Sequence, residues 1–285
     1  MNKILLTGAT GFVGSNILKE LSQYNQIFIL IRKKPVQKKF IHKNIIFVKF
    51  TNYEELNKKL KKMNIDIVIH CATHYIKNHT YEDIKKLINS NILLGNIILE
   101  NLSVMKVKKF INFSTVWQDP YPIKNNFHNL YAAYKSSFNK IVNFYKKTLS
   151  KIEFFEIVLS DTFGFGDKRN KLINTLRNNF LTGRATKIIS KNLYINLINV
   201  DDIVKGLITI TKKNTKPGQY VLKNSKDLRI FDLIKIFNKS SSNKIKVKWL
   251  SKKIIKNKII KYDQLKTWAP KKSGVKDIIN YIKKK

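Results

Sequence analysis

The 285-residue sequence holds one cysteine, Cys71, with five prolines and ten glycines. A lone cysteine excludes an intrachain disulfide and any zinc cluster built on cysteines, and no metal site is expected. That usage fits a reducing compartment. Acidic residues are scarce too, 18 against 56 lysines and arginines, for a formal net charge of +38. No apolar run approaches the roughly 18 residues that a membrane span needs, and the run Ile4 to Leu6 is too short for the core of a signal peptide. A cytoplasmic protein with no membrane partner is the expectation. With 43% hydrophobic residues at this length, the chain can bury a sizeable core, which excludes disorder as a description of the whole.

The positive surplus invites a nucleic-acid reading, because lysine and arginine neutralise phosphates and release counterions. Its make-up argues otherwise. Only five of the 56 are arginines, namely Arg32, Arg169, Arg177, Arg184 and Arg229, whereas base-edge and bidentate phosphate recognition favour arginine's planar fork. The lysines are dispersed among asparagine and isoleucine, as in a compositional bias, and a nucleic-acid partner is not expected.

Short apolar runs alternate with amphipathic stretches through the first half. Runs at Lys3–Thr7, Ile27–Ile31, Ile45–Phe50, Ile65–His70, Phe110–Ser114 and Phe154–Ser160 predict six strands. Periodic stretches such as Val13–Gln23, Ile84–Ser103 and Tyr131–Leu149 predict helices between them. This alternation predicts an α/β fold with a Rossmann-like doubly wound parallel sheet. After Ser160 the rhythm becomes irregular, with Gly164 and Gly166 in a loop and a helix predicted over Lys171–Phe180. The expected organisation is an NAD(P)-binding domain over 1–160 and a smaller C-terminal lobe over 161–285, parts of which return to the first domain.

The first strand runs into Gly8-Ala9-Thr10-Gly11-Phe12-Val13-Gly14 and then a helix. Glycines at this spacing permit a tight turn, close approach of a pyrophosphate and close helix-to-strand packing, while the helix N-terminus offers free N–H groups to the anion. Chance gives about 0.01 such triples in a chain of this glycine content. At the end of the second strand, where a carboxylate would hold the adenosine ribose of NAD, Ile31 is followed by Arg32, Lys33 and Lys34. A cation there suits a 2′-phosphate, so NADP(H) is expected in preference to NAD(H).

Tyr131 and Lys135 lie four residues apart, on one face of a helix. Twelve tyrosines in so lysine-rich a chain predict about two such pairs by accident, and four occur. Context selects this one. Only Tyr131 follows a fifth-strand hydroxyl cluster, Ser114 and Thr115, and carries small residues, Ala132 and Ala133, on the adjoining turn. A tyrosine hydroxyl, ordinarily with a pKa of about 10, exchanges protons poorly near neutrality until an ammonium stabilises the phenolate. Lys135 would do that, and Ser114 or Thr115 would hydrogen-bond the reacting substrate oxygen.

These residues resemble the extended short-chain dehydrogenase/reductase superfamily, the NAD-dependent epimerase/dehydratase group that acts on nucleotide sugars. The stretch from Asp66 through His70, Cys71 and Ala72 to Thr73 is similar to the family's fourth strand and the turn beneath the cofactor. Asn91 with Gly95 resembles the following helix. Ser160 to Gly164 resembles the substrate loop after strand six, and Asn199 to Asp202 a late Val-Asp-Asp segment. Ile111 to Gln118 and Asn129 to Ala133 look most like the reductases that finish CDP-linked dideoxy sugars, the abequose and paratose synthases.

The resemblance implies a cofactor site including Cys71, Ala72, Thr73 and Asn91, and makes residues 161–285 mainly a substrate-binding lobe. Substrate contacts are expected from His74, Trp117, Asp161, Arg169 and Arg184, and a homodimer through Ile84–Ser103 and Tyr131–Leu149. His70 is expected to be structural, and Asp201 and Asp202 to cap the helix after them. Departures matter. Val116 and Trp117 stand where the family's dehydratases carry an Asp-Glu acid and base, which argues against dehydration. Phe113 aligns with the usual catalytic hydroxyl, and Ile195 with an arginine that clamps diphosphate. The leading expectation is an NAD(P)-dependent 4-keto reductase or epimerase of a nucleotide-diphosphate sugar. Its rival is a catalytically degenerate dinucleotide-binding protein whose charge serves RNA or another polyanion.

Overall fold

All six apolar runs become strands, each within two residues of its expected bounds at either end. A computed structural model describes residues 1–32, 42–118, 127, 129–212, 215–256 and 262–284. In chain order the first part contains β1 (Lys3–Thr7), α1 (Phe12–Leu21), β2 (Gln26–Ile31), β3 (Ile45–Lys49), α2 (Tyr53–Leu60) and β4 (Ile67–His70). Next come α3 (Tyr81–Ile88), a π-helical turn (Asn89–Leu93), α4 (Leu94–Glu100), β5 (Lys109–Thr115), α5 (Leu130–Thr148) and β6 (Glu153–Leu159). The remainder comprises β7 (Asp161–Phe163), α6 (Leu172–Leu181), β8 (Thr186–Ile188), β9 (Asn192–Ile195), β10 (Leu197–Asn199) and α7 (Val200–Lys212). It continues with β11 (Gly218–Leu222), β12 (Leu228–Arg229), α8 (Ile230–Lys239), β13 (Val247–Trp249), β14 (Ile254–Lys256), β15 (Asp263–Gln264) and α9 (Val275–Lys283).

The main sheet has eight strands in the order β15-β11-β6-β5-β4-β1-β2-β3. The pairs β1/β2, β2/β3, β1/β4 and β4/β5 are parallel. Chain order reverses between β1 and β4, and Thr7 stands opposite His70 at their carboxyl ends. In an open α/β sheet a crevice forms at such a switch point, where successive crossovers leave on opposite faces. This is the Rossmann-like doubly wound arrangement.

Compact packing divides the chain into two units, Met1–Val158 with Asn214–Tyr220, and Leu159–Lys213 with Val221–Lys285. In the first, Leu5, Val68 and Phe110 of the sheet pack with Ile98 and Leu99 of α4 and Phe138 and Val142 of α5. Strands buried on both faces carry near-continuous apolar runs, which is why β1 and β4 read so plainly in the sequence. The helix expected over Ile84–Ser103 is interrupted by the π-helical turn, in which Asn91 is buried. In the second unit, Leu176, Leu233, Phe237, Ile278 and Ile282 bring α6, α8 and α9 around Phe163. Its sheets are small: β10 with β7, β13 with β8, and β12-β9-β14. No helix among the described residues is long and apolar enough to cross a membrane.

Candidate active site

The glycine loop closes on itself before α1 begins. Gly11 N–H donates to the Gly8 carbonyl at 2.9 Å, and Gly11 then caps the helix, its carbonyl accepting from Ser15 N–H at 2.9 Å. Gly8 has φ +69°, and a Cβ there would stand 2.7 Å from the Ala72 nitrogen; a Cβ on Gly14 would stand 2.2 Å from the Gly8 oxygen. Only glycine fits either place. Thr10 is exposed, Phe12 and Val13 are half-buried in the first turn, and that turn carries no acidic residue. A close-packed helix N-terminus at the switch point, with no acidic residue in its first turn, suits a dinucleotide pyrophosphate.

The end of β4 is tied to this loop. Thr7 Oγ1 accepts from Ala72 N–H at 3.0 Å and lies 3.0 Å from His70 Nδ1. His70 is fully buried between Phe110 and Phe138. Burial, and then the charge of Lys135, depress its pKa to about 3, so the ring is neutral and structural. Burial likewise pushes the Cys71 thiol up, against the opposing effect of Lys135. Asn91, turned inward by the π-helical segment, shapes the next loop: its Oδ1 accepts from Thr73 Oγ1 at 2.6 Å and His74 N–H at 2.9 Å, and its Nδ2 donates to the His74 carbonyl at 3.1 Å. His74 Nε2 is buried with no hydrogen-bond partner among the described residues. Arg32 is exposed directly after β2, while Lys33 and Lys34 lie outside the described residues.

Tyr131 and Lys135 occupy the first two turns of α5, which Asn129 caps through Oδ1, accepting from Ala132 N–H at 3.0 Å. The Tyr131 ring meets Tyr75 edge-on at 5.2 Å, and Tyr75 in turn packs against Trp117 at 6.0 Å. Lys135 is only 4% exposed, and its ammonium donates to the Phe113 carbonyl. Desolvation lowers its pKa to about 8, with the charge of Glu156, and then Cys71, acting upward.

The two candidate hydroxyls part company at the end of β5. Ser114 is buried and its hydroxyl donates to Gln118 Oε1. Gln118 Nε2 donates to Glu156 Oε1 at 2.9 Å. Thr115 is half-buried, its Oγ1 accepting from Trp117 N–H at 3.3 Å. Sequence reasoning passed over Glu156, a buried residue of β6 that also accepts from Asn139 and Gln219. The available signal was a carboxylate in the middle of the apolar run Phe154 to Leu159.

In the second unit, Arg169 forks onto Asp167 at 2.7 and 2.8 Å and onto Thr162 Oγ1 at 2.7 Å. Asp161 acts on nearby Lys171, whose pKa burial lowers to about 8. Arg184 is exposed after α6. Ile195 is half-buried and pairs with Leu228. Asp202 does not cap a helix: fully buried, it accepts from Lys271 N–H, Lys272 N–H and the Ser273 hydroxyl, clasping a distant loop. Asn199 Oδ1 instead accepts from Asp201 N–H at the start of α7.

A dinucleotide cradle at the switch point, joined to a tyrosine and buried lysine on α5, defines a short-chain dehydrogenase type of Rossmann protein. Residues 4–222 match the NAD dependent epimerase/dehydratase family, and the chain belongs to that family. CDP-abequose synthase from Salmonella muenchen is 25% identical over 250 residues, covering 87% of this chain and 83% of that protein. Among solved structures, UDP-glucuronic acid 4-epimerase from Bacillus cereus, bound to UDP-glucuronic acid and NAD, superposes with a TM-score of 0.77 at 20% identity, covering 99% of each chain. MoeE5, bound to UDP-glucuronic acid and NAD, gives 0.81 at 14% identity, covering 98% of this chain and 97% of its own.

Proposed function

We propose that the chain is an oxidoreductase that reduces the 4-keto group of a nucleotide-diphosphate sugar. Epimerisation at the same carbon is the alternative use of the same residues. The observation that carries the reading is the pairing on α5 of Tyr131 with a lysine buried and anchored at the end of β5. Gly8, Gly11 and Gly14, with Thr10, Phe12 and Val13, cradle the pyrophosphate, while Cys71, Ala72, Thr73 and Asn91 form the neighbouring wall. A bound nicotinamide cofactor supplies the hydride. Tyr131 gives its proton to the sugar oxygen, and the Lys135 ammonium stabilises the resulting phenolate and binds ribose.

Of the two hydroxyls, Thr115 is the one that polarises the substrate oxygen. The Ser114 hydrogen is spent on Gln118, whereas Thr115 Oγ1 accepts from a backbone N–H and retains its hydrogen for donation. Val116 and Trp117 supply no acid or base for removing water, which favours reduction over dehydration. Arg32, exposed where a carboxylate would hold the ribose, supports NADP(H) over NAD(H). His74, with its unpartnered Nε2, and Trp117, packed through Tyr75 toward Tyr131, are assigned to substrate. Asp161 is assigned there too. With Arg169 held by Asp167, the diphosphate falls to Arg184. Exposed Phe144 on α5 supports a homodimer through that helix.

The test is consumption of NADPH and NADH, followed by absorbance, with CDP-, dTDP- and UDP-linked 4-keto sugars. Turnover with wild type, and its loss in Tyr131→Phe with cofactor still bound, is expected. Full activity in Tyr131→Phe overturns the mechanism. Phe113, where the family has a hydroxyl, favours the rival polyanion-binding reading; RNA binding that survives substitution of the glycine loop, with no turnover on any sugar, would establish it.

A further inference from the structure

Behind the end of β5 lies a polar cluster that the reaction chemistry above does not use. Glu156, on β6, is 7% exposed and receives three side-chain amides: Gln118 and Asn139 donate to Oε1, and Gln219 to Oε2. Asn139 is oriented in turn by Asn112, whose Nδ2 donates to Asn139 Oδ1 at 3.1 Å. All three of these partners are N–H donors, which suits a carboxylate that accepts at both oxygens. Burial without such partners is costly for a charge, so a carboxylate placed here in an apolar strand calls for a reason beyond packing.

Two consequences of its position reach the proposed site. Only the nitrogen of an amide can donate to a carboxylate, so Glu156 sets which end of the Gln118 side chain faces Ser114: Nε2 turns toward Glu156, and Oε1 is left to take the Ser114 hydrogen. The Glu156 charge also acts on Lys135, which is buried on α5 and holds the Phe113 carbonyl. Among the described residues, His70 and Cys71, at the end of β4, also interact with Lys135, and Tyr131 precedes it by one turn on α5. His70 is neutral, and Cys71 is held toward its thiol form by burial. Glu156 is thus the counter-charge to Lys135 among these groups.

We propose that Glu156 is a positioning residue of the active site: it keeps the buried Lys135 charged and, through Gln118, turns the Ser114 hydroxyl inward so that Thr115 alone meets the substrate oxygen. The proposal rests on the reductase reading for its catalytic meaning, whereas the Lys135 charge can be measured without turnover. Desolvation and Glu156 act on Lys135 in opposite directions, so removing the carboxylate leaves desolvation opposed only by the smaller effect of Cys71.

The experiment is an NMR titration of protein carrying lysine labelled with carbon-13 at Cε, with the Lys135 signal assigned by its absence in Lys135→Arg. Wild type is expected to titrate near 8, and Glu156→Gln about one unit lower. With a substrate from the sugar panel, the alkaline limb of kcat/KM moves to lower pH by the same amount, a displacement that a purely structural role would not produce. An unchanged Lys135 titration in folded Glu156→Gln overturns the proposal. Should Glu156→Gln fail to fold by circular dichroism, Glu156→Asp carries the test by retracting the charge one methylene. A lowered titration supports the proposal, and a wild-type one overturns it. Absence of turnover in wild type with every sugar would overturn the reductase reading while the titration still decides the role of Glu156 toward Lys135.

Discussion

The ammonium of Lys135 is held by the backbone carbonyl of Phe113, the residue that directly precedes Ser114 and Thr115 on β5. The phenyl group is buried, and what this position offers the lysine is main chain. A backbone acceptor is independent of side-chain identity, so the lysine anchor is compatible with phenylalanine here, and in the proposed mechanism the hydroxyl function falls to Thr115.

Lys135 should impose an alkaline limit on catalysis. Its pKa is lowered to about 8, so the charged form is lost as the pH rises through that value. The kcat/KM for keto-sugar reduction should be flat below it and fall above it. Lys135→Met should lose roughly a hundredfold or more at neutral pH, and a profile with no decline between pH 7 and about 9.5 would contradict the assignment.

The two hydroxyls should separate by readout. Thr115→Val is expected to lower kcat about a hundredfold while leaving the melting temperature nearly unchanged. Ser114→Ala removes a buried hydrogen bond to Gln118 Oε1 and should cost about 1–3 kcal/mol of stability, with kcat within a few-fold of wild type. The reverse pattern would return the catalytic role to Ser114.

Gly14→Ala tests the cradle. Its Cβ would meet the Gly8 oxygen at 2.2 Å, so the helix must move away from the loop. Cofactor affinity measured by nicotinamide fluorescence should fall at least tenfold, with a loss of stability of about 1–3 kcal/mol. Unaltered affinity would show that the pyrophosphate lies elsewhere.

Arg32→Ala should distinguish the two cofactors. Loss of a cation facing a 2′-phosphate is expected to weaken NADPH about tenfold and leave NADH little changed. Equal effects on both would remove Arg32 from cofactor choice.

His70 should make stability depend on acid. Its folded pKa, about 3, is below the ordinary 6.5, so the unfolded chain binds the proton first. The contribution is complete above 6.5 and is lost as the pH falls toward 3. Urea unfolding across that range should show a steeper loss in wild type than in His70→Gln; parallel curves would contradict a neutral buried ring.

Much of the first unit could be read from local pattern. β1 and β4 are buried on both faces, so composition alone marks them, and the glycine loop and Tyr131/Lys135 are local in sequence as well as in space. The second unit was less legible because its strands are short: β12 and β15 hold two residues each, too few for a period of two to show. Asp202 looked like a helix cap because its neighbours in sequence begin α7; its partners, Lys271 to Ser273, lie some seventy residues away.

Charge followed the same division. The sequence by itself determined the surplus of +38, the glycine loop and the Tyr131/Lys135 pairing on which the proposed chemistry rests, because each depends on composition or on neighbours one or two turns apart. Tertiary structure decided what those groups can do. It buried Lys135 against the Phe113 carbonyl, set Glu156 behind it, and turned Ser114 inward, since desolvation and hydrogen-bond direction arise only where β5, α5 and β6 come together.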